Sequence, residues 1–347
     1  MGEGMAGSPG RLVRALALAV GTLLLAGGAL YLVTRPGVAL ADRSALFRVR
    51  EGDTADAIAQ RLQEERLVRS AAFLRIVTRI SGTGSAFKAG NYRFRAGATA
   101  PEIYRALVSG EQSLVKVTVP EGYTLGKVAS LLERRKVCSR DDFVKAARSA
   151  ELLASLKIPA RSAEGYLFPD TYFLPEDYPA EEVVRTMVEN FFARVRQIEP
   201  ASAGWKPEVL HENLILASIV EREYRLPAEA PVIASVFRNR LAYNIGLESC
   251  ATVEYIITEI EGLPHPGFIT GQDIRINSPY NTYKWAGLPP GPISNPGLVA
   301  LDAALHAPQT DYYYFVLKDP STGEHHFSKS LTGHIEAKRY YLKSPSS

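Results

Sequence analysis

Two stretches of this chain repeat each other at a spacing of seventy residues, and that spacing constrains the fold more than any single motif does. Val49-Arg50-Glu51-Gly52-Asp53-Thr54 aligns with Val119-Pro120-Glu121-Gly122-Tyr123-Thr124. The register then continues without gaps: Ile58 over Val128, Ala59 over Ala129, Leu62 over Leu132, Leu67 over Val137, Phe73 over Phe143. Each copy reads as an alternating strand, a glycine turn, a threonine N-cap and a helix with apolar residues at helical spacing. Gly90–Gly110 repeats the order strand, Gly-x-Thr, helix in shorter form. Two or three small β-α units are therefore predicted. A chance match of a common strand-turn-helix pattern is the rival explanation, and ungapped agreement argues against it.

Upstream, Ala15–Val33 carries no charge over nineteen residues, about 28 Å as a helix and close to the hydrocarbon thickness of a bilayer. Arg11 and Arg14 precede it, so the positive-inside rule makes residues 1–14 a cytoplasmic tail, 15–34 a transmembrane helix, and everything after Arg35 external. A cleaved signal peptide is the alternative, since Ala39-Leu40-Ala41 has small residues at suitable spacing. The apolar stretch, however, exceeds the usual signal core. Either way the bulk of the chain works outside the cytoplasm.

A length of 347 residues leaves room for two or three domains. The net charge of +3, with no Lys/Arg block, gives no case for nucleic acid. Cys138 and Cys250 form no CxxC and read as buried free thiols rather than a disulfide. The six histidines form no HExxH, and adjacent His325 and His326 would point to opposite faces of a strand. Neither a metal nor a cofactor is implied.

The run LILASIVEREYRLP, Leu214–Pro227, ends its apolar part on Glu221. As a helix it places Leu214, Ala217 and Glu221 on one stripe. A carboxyl group on the dry side of a helix should hold its proton near neutral pH and could give it to a glycosidic oxygen. Arg225, at i+4, offers the competing reading of a helical ion pair, which would lower the pKa instead. Glu164–Tyr172 reads as an ordered loop turning at Pro169-Asp170, with aromatic faces from Tyr166, Phe168 and Tyr172. Helices are predicted over Glu181–Ile198 and Ala230–Leu241. A third is predicted over Gly297–His306, with Asn295-Pro296 as N-cap and N1. Tyr312–Leu317 reads as a buried strand. Between the helices, five prolines and three glycines in Pro279–Gly297 exclude helix and sheet. Tyr280, Asn281, Tyr283, Trp285 and Asn295 remain there for a carbohydrate groove, unless the loop simply covers a core.

EGDTADAIAQRL (Glu51–Leu62) resembles the LysM module, a small βααβ unit that grips N-acetylglucosamine chains; the second copy departs from it at Tyr123. More specifically, EGYLFPDTY, ASIVERE, SVFRNRL, SPYNTYKWAGLPPGPISNPG and GEHHFS together resemble the MltG-type (YceG-like) endolytic murein transglycosylases. That resemblance covers nearly everything after Phe47. It implies an α+β chain: an N-terminal transmembrane helix, small LysM-like β-α modules (42–114, with a second repeat unit over 115–160), and a mainly helical catalytic domain with a short sheet (161–347). It also implies a single-pass inner-membrane enzyme, with its bulk on the periplasmic side. Such an enzyme cuts nascent peptidoglycan strands between N-acetylmuramic acid and N-acetylglucosamine, with peptidoglycan synthases as possible partners.

The family's catalytic acid falls on Glu221 and its substrate loop on Tyr280, Asn281, Thr282 and Tyr283, with Glu248 and Tyr166 as further substrate-binding candidates. This chain departs from the family at Glu248 and Cys250, where many members carry Gln and Asp, and at Gly333-His334. Hydrolysis needs two carboxylates. Glu223 lies about 200° around a helix from Glu221, and Glu248, Glu254 and Asp273 depend on the fold. A lytic transglycosylase needs one acid and leaves 1,6-anhydro-muramic ends. A muramidase, or a non-catalytic membrane-tethered glycan-binding scaffold, are the competing readings.

Overall fold

The structure, a computed structural model, describes residues 9–83, 87–111 and 114–341. About half the chain is helical and the strands form three two-stranded sheets, an α+β arrangement. The first helix, α1, spans Pro9–Thr34, and its leucines 16, 18, 23 and 24 are exposed. Among the described residues no helix is long and apolar enough to cross a membrane. Most of the expected cytoplasmic tail lies outside the described residues. The chain divides after Leu114 into two compact units.

In the first unit, strand β1 (Ala45–Val49) is followed by helices α2 (Ala55–Glu64) and α3 (Ala71–Ser81), strand β2 (Gly90–Phe94) and helix α4 (Ala100–Ser109). β1 and β2 pair antiparallel, from Ala45↔Phe94 to Val49↔Gly90. Alternation puts Phe47, Val49, Tyr92 and Phe94 into a core with Ile58, Leu62, Leu74, Ile103 and Leu107. Thr54 caps α2 by accepting from the Ala57 N–H at 3.2 Å, a contact worth about 1 kcal/mol.

The second unit opens on the repeat: strand β3 (Leu114–Thr118), helices α5 (Leu125–Arg134), α6 (Arg140–Ala146) and α7 (Ala150–Ser155), then strand β4 (Thr171–Pro175), which pairs with β3. The seventy-residue offset holds in the backbone as well as in the letters. Gly52 and Gly122 both have positive φ (85° and 73°), and so do Arg66 and Lys136 (57° and 58°), which turn the chain out of α2 and α5. Thr124 caps α5 as Thr54 caps α2.

The remainder is helix α8 (Ala180–Ile198), α9 (Pro207–Val220), α10 (Ala230–Ala242), α11 (Cys250–Tyr255) and α12 (Leu298–Leu305), then the hairpin β5 (Tyr314–Asp319) and β6 (Glu324–Ser328), and α13 (Leu331–Tyr341). α9 is apolar almost all round and is buried accordingly. Leu214, Ala217, Ile219 and Val220 share one core with Val128, Leu132 and Phe143 of the repeat and Phe191 of α8. The repeat unit is thus built into the same core as the helices.

Several local expectations change. Gly297, not Asn295, is the N-cap of α12. β5 is only half-buried, with Val316 its one buried residue. His325 and His326 do face apart: His325 bonds Glu229 at 2.7 Å, and His326 packs on Tyr341. Tyr166, Phe168 and Tyr172 turn into the core. Both cysteines are free, but Cys250 is exposed and Cys138 partly buried, because α11 starts at the surface.

Candidate active site

Glu221 is the C-cap of α9, and its N–H still bonds the Ala217 carbonyl at 2.8 Å. The helical stripe of Leu214 and Ala217 therefore carries through to it, and both of those residues are fully buried. Its Oε2 accepts the Gly297 N–H at 3.0 Å, at the start of α12. Gly122, in the turn between β3 and α5, lies across from its Cγ and Oε1. Burial pushes the carboxyl group up to about 7. The Gly297 N–H opposes that shift, the nearby Glu121 charge adds to it, and the Tyr224 hydroxyl and Arg222 pull it back down. An acid with this value is partly protonated at neutral pH, which suits a group that must give and then take a proton.

The Arg225 ion pair does not form at this turn. α9 ends at Val220, so the i+4 geometry is lost, and the exposed Arg225 lays its stem against Gly323. The ion pair at the turn is Arg222–Glu254, at 2.7 Å.

Glu223, in the turn that follows α9, faces elsewhere. It accepts the Ser249 hydroxyl and lines a cavity of about 270 Å³ with Arg240, Glu248, Cys250, Tyr283 and His334. Burial pushes it, too, up to about 7, against Ser249 and Arg222. Tyr283 and Glu248 are thus brought to Glu223 and not to Glu221. The Tyr283 hydroxyl meets the Cys250 Sγ at 3.0 Å, and Glu248, at φ +53°, lies 3.4 Å from the Arg240 guanidinium.

The other predicted substrate residues are spread out. The Asn281 amide donates to the Ile274 and Ile276 carbonyls at 2.9 and 2.8 Å, and its oxygen accepts the Tyr283 N–H. Thr282 is buried and accepts the Ser249 N–H at 3.1 Å. Both side chains hold the proline-rich loop in shape. Tyr280 is half-buried beside Tyr255, ring centroids 5.2 Å apart. Trp285 is exposed, with Lys284 over its ring. Tyr166 bonds His211 at 2.9 Å and lines a separate cavity of about 480 Å³ with Phe192, Trp205 and Leu210. That cavity borders the N-terminal turn of α9, whereas Glu221 caps its other end about 20 Å away. Glu221 lines neither cavity.

Sequence reasoning missed two carboxylates. Glu164 is buried; Leu125 donates its N–H to both of its oxygens and Asn295 donates its amide, and burial raises the carboxyl to about 8 despite those bonds. Glu121 stands beside Gly297, where a built Cβ would come within 1.9 Å of its Oε1. The repeat held the signal for Glu121, since Glu51-Gly52 and Glu121-Gly122 match while Asp53 becomes Tyr123. Among the described residues no group of three or more His, Cys, Asp or Glu converges on a metal position.

Comparison with known proteins places this geometry in context. Residues 47–340 match the model of the YceG-like family. A protein named endolytic murein transglycosylase from Bacillus subtilis is 32% identical over 314 residues, covering 86% of this chain and 85% of its own. One of the same name from Streptococcus pneumoniae is 28% identical over 275 residues, covering 71% of this chain and 49% of its own. A crystal structure of a YceG-like protein from Listeria monocytogenes superposes with a TM-score of 0.57 at 29% identity, over 84% of this chain and 98% of that one.

Proposed function

The chain belongs to the YceG-like family, and from that membership we propose that it is a peptidoglycan lytic transglycosylase with Glu221 as its catalytic acid and base. The observation that carries this reading is the half-buried Glu221 carboxyl: one oxygen is pinned by the Gly297 N–H, and burial favours the protonated form. Glu221 gives its proton to the oxygen bridging muramic acid C1 to the next N-acetylglucosamine, and the C1–O bond breaks. As a carboxylate it then takes the proton of the muramic acid C6 hydroxyl, whose oxygen closes on C1. The product is a 1,6-anhydro end, Glu221 is protonated again, and no water is consumed.

Cleavage within glycan strands is supported by the word endolytic in the names of the relatives. The strand-helix-helix-strand order of β1, α2, α3 and β2 supports a LysM-like grip on the glycan. Membrane attachment, with the bulk of the chain on the periplasmic side, rests on the uncharged stretch after Arg11 and Arg14, and on the uncovered leucines of α1. Resistance of the full-length protein to alkaline extraction from membranes tests it; release into the soluble fraction refutes it.

The test of the chemistry uses full-length protein in detergent, uncrosslinked glycan strands and mass spectrometry of the new ends. Wild type should yield ends lighter by one water than reducing muramic acid, and Glu221→Gln should yield none. Glu223 has a similarly raised pKa and borders its own cavity, so Glu223→Gln is the needed control. Loss of activity there alone would move the acid to Glu223. Glu121 beside Gly297 favours one second reading, a muramidase using two carboxylates. Reducing ends would establish it. A glycan-binding scaffold would show no cleavage, and its cellular role would survive Glu221→Gln.

A further inference from the structure

The turn that carries Glu121 is fixed by backbone bonds. Gly122 donates its N–H to the Asn295 carbonyl at 2.9 Å, and Asn295 donates both its backbone N–H and its side-chain amide to the Tyr123 carbonyl, each at 2.8 Å. The residues just before α12 and the turn just before α5 are thereby locked together. Locking them sets the Glu121 carboxylate against Gly297, the same glycine whose N–H holds Glu221. Two carboxyl groups thus address one residue, one through its N–H and the other against its Cα. Glu121 is exposed, so water solvates its charge; Glu221 is half-buried, so its charge is costly. A negative charge beside a half-buried carboxyl group makes the ionised form of that group costlier still, so it keeps its proton longer.

We propose that Glu121 is a positioning residue for Glu221, its negative charge at the rim of the site keeping the neighbouring acid protonated until a glycosidic oxygen takes the proton. The inference rests on Glu221 being the acid of a lytic transglycosylase. The same charge serves the return step: once Glu221 is ionised, the two carboxylates repel, and Glu221 becomes a stronger base toward the C6 hydroxyl. The groups facing Glu221 are few. Glu121 and Gly122 come from the β3–α5 turn, Arg222 and Tyr224 from its own turn, and the Gly297 backbone from the start of α12. Arg222 is the cation among them and opposes Glu121, but its guanidinium is also paired with Glu254, so its pull on Glu221 is shared.

The test compares full-length wild type with Glu121→Gln, Glu121→Asp and Gly297→Ala. Gly297 has φ −80° and ψ −179°, which alanine adopts without strain, and a methyl group there would push the Glu121 side chain aside while keeping its charge. Two quantities are read: kcat/KM against pH on glycan strands, and the ¹³C-carboxyl titration of Glu221, which needs no activity. Glu121→Gln should move the alkaline limb and the Glu221 titration about 0.5–1 pH unit downward. Activity at pH 8 should fall roughly three- to tenfold, with little change at pH 5. Glu121→Asp should restore most of the shift, and Gly297→Ala should reproduce it in part. An unmoved Glu221 titration overturns the proposal, and so does an equal loss of activity at every pH. If wild type cleaves nothing, the transglycosylase reading fails, while the carboxyl titration still decides whether Glu121 acts on Glu221.

Discussion

Asn295 and Glu164, 131 residues apart in sequence, are hydrogen-bonded inside the core at 3.2 Å. The Asn295 amide oxygen also accepts the Leu167 N–H at 2.9 Å, and its nitrogen also reaches the Tyr123 carbonyl. One fully buried side chain therefore joins the repeat turn, the Glu164 loop and the proline-rich loop leading to Gly297. Asn295→Ala strands the Leu167 N–H in a dry place and takes one donor each from the Glu164 carboxyl group and the Tyr123 carbonyl. It should lower stability by about 2–4 kcal/mol, read as a fall in the urea midpoint. An unchanged midpoint would show that the amide does not hold these loops.

The Glu164 loop meets the proline-rich loop at a point where only glycine fits. Gly165 has φ +86°, and a Cβ there would sit 2.6 Å from both Cβ and Cγ of Pro292. The obstacle is a rigid ring, so little can move aside. Gly165→Ala should cost about 2–4 kcal/mol from strain and overlap combined, measured by thermal or urea unfolding. A change under about 0.5 kcal/mol would mean that the two loops separate at little cost.

The repeat was legible because its determinants are local: a glycine at positive φ, a threonine cap, and apolar residues three and four apart. Glu221 was legible for the same reason, since helical spacing from Leu214 and Ala217 put it on the buried stripe. Asn295 was not. Read locally, Asn-Pro signals a helix start, but three distant partners claim the side chain and Gly297 takes the cap. Asn281 and Thr282 look like free polar groups on a sugar-binding loop, yet a loop without helix or sheet must satisfy its own backbone, and these side chains do it. Glu121 reads as an ordinary turn acid until the Asn295 bonds bring that turn to Gly297.

The two thiols should differ sharply in reactivity. Cys250 is exposed, with its sulfur against the Tyr283 hydroxyl. Cys138 is partly buried, and burial, aided by Asp142 and Glu133, pushes its thiol up to about 11. Iodoacetamide at pH 8 should modify Cys250 in the native protein and leave Cys138 until the chain unfolds. Peptide mapping by mass spectrometry reads the sites directly. Early labelling of Cys138 would contradict the packing of α5 against α6.

Keeping Glu221 half-buried should cost stability, and the cost should depend on pH. Its folded pKa of about 7 lies above the ordinary value of 4.5, so the folded state holds this proton more tightly than the unfolded chain. The contribution of the protonated acid is therefore complete below about pH 4.5 and is lost as pH rises through about 7. Glutamine resembles the protonated acid in shape and never ionises. Glu221→Gln should match wild type in stability near pH 4 and exceed it at pH 8 by on the order of 1–3 kcal/mol, a figure reduced for the part of the carboxyl that water reaches. Unfolding curves at both pH values check this. A variant no more stable at pH 8 than at pH 4, relative to wild type, would mean that Glu221 ionises freely, and such a group could not serve as the acid at neutral pH.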